Sequence, residues 1–384
     1  MARENRDLSP VRLFRAREQQ MTRSTQIKIT FAIALAGFAL PASASAVWVV
    51  PGRGFGHGVG MSQYGAEGLG RDGSNYKQIL RHYFKGVKIA PADTRTVRVL
   101  LTTGVGSLRF SGAKRACGKS LAPARTYAFA VNGSRVELRR ANGSRIKGCG
   151  NEGDAAGGGS VAWEGVGRYR GKLLGRNVGG SLYVINRVSL ESYIRGVIPS
   201  EVPTSWSANA LRAQAVAARS YALATRVGGN GYDLYDDTRS QVYNGMRVET
   251  KPTDRATAAT RREVIKASGS VATAFFFSTS GGQTENSENV FVEPRSYLKA
   301  VDDPADRISP YHRWRLRFSN AEMASKLAGL FQGKLKKIRV VKTGRSPRIV
   351  AARVVGSAGS SRVSGDTLRF RLGLRSTWAT FKKR

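Results

Sequence analysis

Glu201 stands between Pro199 and Pro203, at the head of an alanine-rich run that extends to Arg226. Proline fixes its own φ and restricts the residue before it, so an acid bracketed by two prolines sits on stiff backbone. Its neighbours Ile198 and Val202 are apolar. Desolvation penalises the charged form, so a carboxyl in such company holds its proton toward neutral pH, as a general acid must. A glutamate beside prolines is also a common solvated loop residue. The motif alone leaves both readings open.

Other groups of chemical interest are sparse. Gly52, Gly54, Gly56, Gly58 and Gly60 alternate around His57. Strict alternation does not fit G-x-G-x-x-G, and no strand is expected before the run, which argues against dinucleotide binding. Alternating glycines let the backbone approach a flat partner such as a sugar, or thread a crowded site. His57 then either faces a ligand or is a satisfied core residue. The segment Ser278–Asn286 is dense in hydroxyls and amides and follows an apolar stretch. Polar loops at strand ends present ligand groups, and are equally often plain turns. Asp236–Tyr243 is acidic and then polar, suited to lining a groove or meeting a cation, but its acids lack the offsets of a calcium loop. His57, His82 and His312 are far apart in sequence, and no G-x-S-x-G occurs, so no Ser/His/Asp triad is expected. No metal site and no cofactor is expected.

The elements that must position these groups follow from pattern. The chain has 384 residues, enough for two or three domains. Residues 1–46 read as leader and signal peptide: Arg23 and Lys28 precede an apolar run over Ile29–Leu40, and Ala44-Ser45-Ala46 offers a small-residue cleavage site. Translation starts at Met1 or Met21. The apolar run is short for a bilayer span, so an exported, cleaved protein is expected, free or held at the cell wall. Residues 47–90 form a second part, with the glycine run and a helix over Tyr76–Phe84. Residues 91–185 are strand-rich, with VRVLL, TYAFAV, GSVAW, GKLLG and SLYVIN as short β-type runs and Gly157–Gly159 as a flexible connection or tight turn. Residues 186–384 are mixed. LESYIRGV reads as a short helix or turn. Ser205 or Ser207 caps a helix to about Arg226, and Gly228-Gly229 stop it. A further helix is expected over DRATAATRREVIKAS, a buried strand at VATAFFF, then strands after Arg313 with a helix over Asn320–Phe331. The class is α+β.

The 63 Lys and Arg against 26 Asp and Glu give a net charge of +37. Such a balance draws polyanions. For an exported chain these are anionic wall polymers and not nucleic acid. Cys117 and Cys149 are the only cysteines. Two thiols in an exported chain most often pair, and a structural disulfide is expected.

Several segments together resemble the stage II sporulation protein D (SpoIID/LytB) family. Leu190-Glu191-Ser192-Tyr193 with Gly196-Val197 is similar to its LEEYVxGVV. Ser200-Glu201-Val202-Pro203 is similar to its A-E-M-P, and Ala210–Leu223 to its ALKAQAVAARTYAL. Gln241-Val242-Tyr243, Ser278–Glu288, Ser296–Asp306, Gly52–Ala66 and the closing Gly373–Trp378 also resemble family motifs. The resemblance implies a SpoIID-like catalytic domain with a strand-rich inserted or accessory domain. It implies a peptidoglycan lytic transglycosylase that cleaves MurNAc-GlcNAc linkages of peptide-stripped glycan strands to 1,6-anhydro ends, with Glu201 as catalytic acid. Gln214, Arg219, Gln241, Tyr243, Ser280, Gly282, Thr284, Glu285, His57 and Gln63 are the candidates for binding sugar or holding the acid; Arg219 is equally suited to a structural salt bridge. The alternative is a non-catalytic peptidoglycan-binding activator of a cell-wall amidase. Two departures stand out. Where some relatives have a zinc-binding C-D-S-T-H-C-type stretch, this chain has Tyr235–Ser240, with poor zinc ligands in place of thiolates. The GHGVGMSQYGA segment, C-terminal in many relatives, here comes first. It is expected beside Trp378, with His57, Gln63 and Tyr64 at the groove.

Overall fold

The computed structural model describes residues 47–384 apart from Thr94, Asn230 and Val292. The expected signal peptide and its cleavage site lie outside the described residues. Seven helices occur among the described residues: α1 (Gln63–Arg71), α2 (Tyr76–Tyr83), α3 (Leu190–Glu201), α4 (Ala208–Ala224), α5 (Lys251–Ala259), α6 (Asn320–Lys326) and α7 (Gly365–Leu372). None is long and apolar enough to cross a membrane. With the strands below, the fold is α+β.

The chain separates into two units, residues 69–275 and a second made of the residues up to Gly68 with 276–384. The parts anticipated at 91–185 and 186–384 are therefore grouped differently. The physical reason is local. Strand Ser181–Ser189 runs directly into α3, and Leu234–Tyr235 pairs in parallel with Thr96–Val105, so the strand-rich stretch and the following helices share one framework.

In the unit 69–275 a ten-stranded sheet dominates. Its order is Leu234–Tyr235, Thr96–Val105, Ser181–Ser189, Gly167–Val178, Glu152–Trp163, Ser107–Ala116, Tyr127–Asn132, Arg135–Arg140 and Arg145–Gly148, with Lys119–Ser120 beside Ser107–Ala116. Period-two alternation puts Val97 and Val99, Leu182 and Val184, and Leu108 and Phe110 in the core. Gly157–Gly159 is neither linker nor turn: it lies inside strand Glu152–Trp163, where the register shifts. Three small residues let the strand bulge without side-chain clashes. Cys117 and Cys149 form a disulfide with Cα atoms 5.4 Å apart. It ties the turn after Ser107–Ala116 to the end of strand Arg145–Gly148.

The helices of this unit differ from expectation at two points. DRATAATRREVIKAS splits into α5 and the strand Glu263–Ala267, because β-branched Val264 and Ile265 are buried in a small sheet with Lys88–Pro91. VATAFFF does not form one strand: Val271 ends the short strand Ser270–Val271, and Phe276–Phe277 is a separate short strand of the other unit. Against this small sheet lies α4, capped by Ser207 and buried along Ala213, Ala217, Ala218 and Ala222. Alanines allow its backbone to come close, and the Ser220 hydroxyl accepts from the Ile265 amide at 2.8 Å.

In the other unit, Val47–Arg53 pairs with Arg313–Ser319 and Lys382–Lys383, so a strand does lead into the glycine run. VWVV is short, and the preceding leader obscured it. A four-stranded sheet runs Phe331–Gln332, Gly359–Ser364, Ile349–Gly356, Leu335–Thr343. Trp48, Val50, Leu335, Val354, Leu368 and Leu372 form its core with α6 and α7. Helix α6 stops at Lys326, short of the expected Phe331, which lies in a strand. Helix α7 was not foreseen; its sequence GDTLRFRL has no clear apolar stripe.

Candidate functional site

Within the unit 69–275 the candidate acid is placed by α3. LESYIRGV is the start of this twelve-residue helix, not a turn. The Ser189 hydroxyl accepts from the Ser192 amide at 3.1 Å and caps its start. Pro199 lies in the last turn, where the lost N–H deprives only the Arg195 carbonyl of its helical donor. Glu201 is the final helical residue and is half-buried. Buried Val202 donates to the Ile198 carbonyl at 3.1 Å, and Pro203 then forbids continuation. The aligned peptide dipoles put partial negative charge at this end, which disfavours a further negative charge on the acid.

The ledge is braced from below. Asn244 donates from Nδ2 to the Ser200 hydroxyl at 2.9 Å and from its amide to the Gly196 carbonyl at 3.2 Å. Gly196 is required by close approach: a Cβ there would sit 2.5 Å from the Tyr243 ring. Tyr243 is buried and donates to Asn186 Oδ1 at 2.8 Å. Tyr193, one turn earlier on α3, donates to Gln241 Oε1 at 3.2 Å. Burial drives the Tyr193 phenol well above its ordinary range, and the charges of Tyr243, Glu201, Tyr221 and Asp236 push the same way. Tyr221, on α4, is pushed up to about 12 by burial and then by Glu201. Two neutral phenols thus share the field of the acid. Asp236 is also raised, to about 7, by burial and by neighbouring Asp237.

Arg219 is 0 % exposed. Its Nη2 pairs with Glu191 Oε2 at 2.8 Å, and Nη1 donates to the Glu263 carbonyl at 2.9 Å. Burial lowers its pKa, and Glu191 opposes that. Of its two anticipated roles, the structure places it as a brace between α3, α4 and strand Glu263–Ala267. Gln214 is 1 % exposed, and neither amide atom has a hydrogen-bond partner; Gln241 Nε2 is likewise unpaired among the described residues. At Tyr235–Ser240, Arg239 stacks on the Tyr235 ring at 3.7 Å and pairs with Asp237 at 2.9 Å, while Ser240 Oγ accepts from the Tyr235 amide. A guanidinium, a phenol and an engaged hydroxyl do not suit zinc. No cluster of three or more His, Cys, Asp or Glu occurs among the described residues.

The remaining candidates belong to the other unit. Gly54, Gly56, Gly58 and Gly60 all have positive φ. At Gly54 a Cβ would lie 2.7 Å from the Thr279 carbonyl, and at Gly58 2.5 Å from Arg348 Nε, so the alternation serves close packing. Phe55 and Thr279 exchange backbone hydrogen bonds, and Glu285 donates its amide to Gly58. The run also meets the chain's last segment. Arg53 donates to the Trp378 carbonyl at 2.9 Å and Gly56 to the Arg375 carbonyl at 3.0 Å. His57 is half-buried between Phe277 and Phe291. Its Nδ1 accepts from the Val59 amide and its Nε2 donates to the Phe276 carbonyl, which fixes a neutral tautomer. Burial first, then the charge of Arg369, lowers its pKa to about 3. Gln63 is buried at the start of α1.

The polar loop turns its groups inward. Ser280 Oγ accepts from the Gly282 amide, whose φ is +111°. Thr284 Oγ1 accepts from the Val301 amide at 2.8 Å. Both Glu285 carboxylate oxygens are engaged, by the amides of Asn286, Arg345 and Ser346, Asn289 Nδ2 and the Ser346 hydroxyl. Thr284 and Glu285 were anticipated at sugar; the structure spends them on holding the loop. Sequence reasoning missed Glu191 and Asn244. An arginine in the middle of an alanine-rich buried helix demands a buried partner, and that demand pointed toward an acid such as Glu191.

Residues 178–266 match the profile of the SpoIID family, described as Stage II sporulation protein. The chain is 32% identical over 217 residues to "Stage II sporulation protein D" of Bacillus subtilis (strain 168), a span covering 52% of this chain and 62% of that protein. It is 31% identical over 220 residues to the protein of the same name from Bacillus amyloliquefaciens, covering 53% and 63%. It is 38% identical over 133 residues to "Amidase enhancer" of Bacillus subtilis (strain 168), covering 35% and 18%. The chain thus spans less than two thirds of the length of these relatives. The matched residues 178–266 contain α3, α4 and Glu201.

Proposed function

We propose that the protein is an exported peptidoglycan lytic transglycosylase with Glu201 as its acid and base. The observation that carries this reading is the setting of Glu201: the last residue of a helix, half-buried, held by Pro199 and Pro203, with the Tyr193 and Tyr221 phenols in its field. That setting supports a carboxyl that carries a proton and returns it.

The proton on Glu201 passes to the glycosidic oxygen between MurNAc and GlcNAc, and the bond from that oxygen to the muramic C1 breaks. The muramic C6 hydroxyl oxygen then bonds to C1, and its proton returns to Glu201. A 1,6-anhydro end forms, no water is consumed, and the acid is restored. Because the sugar supplies its own nucleophile, one carboxylate suffices where ordinary glycosidases use two. Asn244, Gly196 and the Arg219–Glu191 pair act on Glu201 through α3.

The test is mass spectrometry of peptide-free glycan incubated with wild-type protein and with Glu201→Gln. Anhydro-ended products are expected from the wild type and are lost in the variant, because an amide has no such proton to give. Full product formation by a folded Glu201→Gln variant refutes the reading.

A second reading draws on the similarity to the protein named Amidase enhancer. Here the chain binds peptidoglycan and stimulates a separate cell-wall amidase. Glu201→Gln then leaves stimulation intact, and neither protein yields anhydro ends. Export and retention at the wall belong to both readings.

A further inference from the structure

At the opposite end of α3 from Glu201 lies a cleft that the proposed chemistry does not use. Its volume is about 480 Å³, and Arg95, Arg195, Arg261 and Arg262 line it together with Ser189 and Ser192. The arginines come from three separate stretches: Arg95 just before strand Thr96–Val105, Arg195 from α3, and Arg261 and Arg262 after α5. Packing four guanidiniums around one hollow is unfavourable unless something anionic enters it.

The acids nearby are already committed. Asp254 lies 3.5 Å from Arg195, and Glu191, which also lines the cleft, is paired through Oε2 with buried Arg219 at 2.8 Å and accepts through Oε1 from the Arg262 amide at 2.9 Å. Arg262 points Nε and Nη2 at the Ala92 carbonyl, which leaves its charge uncompensated. Arg95 and Arg261 are exposed, and their side chains make no hydrogen bond or ion pair among the described residues. Three positive charges therefore remain without a counter-charge. The positive end of the α3 dipole adds to them.

A carboxylate brings one charge and two oxygens, enough for one guanidinium fork. A phosphoryl group brings up to two charges on tetrahedrally arranged oxygens, so it can meet guanidiniums arriving from several directions. The volume lies within the range of small-ligand sites and is too small for a folded partner. We propose that this cleft is a phosphate-binding site, taking free inorganic phosphate or the terminal phosphomonoester of an anionic polymer. It anchors and does not react: along α3 the helix start at Leu190 lies roughly 17 Å from Glu201, and Arg195, the lining residue nearest in sequence, roughly 9 Å. The assignment holds whether or not Glu201 is catalytic.

The test is calorimetric titration of the full chain with inorganic phosphate and, separately, with a short glycerol-phosphate oligomer that ends in a phosphomonoester. Wild type is compared with Arg95→Gln/Arg261→Gln. A control, Arg135→Gln/Arg315→Gln, removes the same charge at exposed positions elsewhere. Because Arg95 and Arg261 are exposed and unpaired, the cleft variant keeps its fold, which circular dichroism verifies. The expected result is affinity weakened about tenfold or more in the cleft variant and less than about twofold in the control. Binding of inorganic phosphate alone identifies the free anion as ligand, and tighter binding of the oligomer identifies the polymer; both support the site. Equal weakening in cleft and control variants, or binding of neither phosphate ligand by the wild type, overturns it.

Discussion

The brace beneath Glu201 makes a quantitative prediction. Arg219 is fully buried, and Glu191 is its only ion-pair partner among the described residues, at 2.8 Å. Glu191→Gln keeps the volume but removes the counter-charge, leaving a buried cation with carbonyls alone. Breaking a buried pair in this way costs about 3–5 kcal/mol. The Glu191 side chain is 24% exposed, so the lower end, about 3 kcal/mol, is the expected loss. With a urea slope of about 1–3 kcal/mol/M, the unfolding midpoint falls by about 1 M or more. Adding Arg219→Met removes the stranded charge, so the double variant is expected to be no less stable than Glu191→Gln alone. Urea titrations of wild type, both single variants and the double variant, followed by far-UV circular dichroism, close the cycle. A Glu191→Gln cost below about 1 kcal/mol, or a double variant whose loss equals the sum of the singles, refutes the claim that the pair is a coupled brace.

Other outcomes follow from the same geometry. Gly196→Ala drives a methyl into the Tyr243 ring; a loss of about 1–3 kcal/mol is expected, with anhydro-product formation falling as the Asn244–Ser200 contact is displaced. Unaltered stability counts against the close packing. His57, held neutral with its pKa lowered to about 3, contributes stability above the unfolded value of 6.5 that is lost as pH falls toward 3. The full span corresponds to on the order of 5 kcal/mol, and urea midpoints of His57→Gln lack that part of the acid dependence. Asp236 acts with the opposite sign: its carboxyl, raised to about 7, costs progressively more to bury as pH rises from its unfolded value of 3.8 through 7. Asp236→Asn is expected to flatten this limb of the stability profile. Replacing both Cys117 and Cys149 by Ala frees the 32-residue separation they span and is expected to cost about 3–4 kcal/mol, read from melting of the two forms.

Much of the site's frame was legible from residue order. Proline at 199 and 203, the Ser207 cap and the alanine stripe of α4 act through neighbours a few residues away, and their effect is local sterics. The period-two strands between Val97 and Asn186 were legible for the same reason. Legibility failed where burial overrode local preference. Val264 and Ile265 left a helical pattern for a sheet edge supplied by Lys88–Pro91, and Gly157–Gly159 became a bulge because two neighbouring strands hold its ends.

Sequence by itself determined that Glu201 sits on proline-stiffened backbone beside apolar Ile198 and Val202, that the strands alternate, and that the chain carries a large positive excess. These are properties of residue type and short-range spacing. Only the tertiary structure decided that Arg219 and Glu191 brace that helix, that Thr284 and Glu285 hold a loop, and that four scattered arginines face one cleft. Charge and hydrogen-bond pairing depend on distance in space, and residues 28 or more positions apart acquire that distance only when the sheet and helices pack.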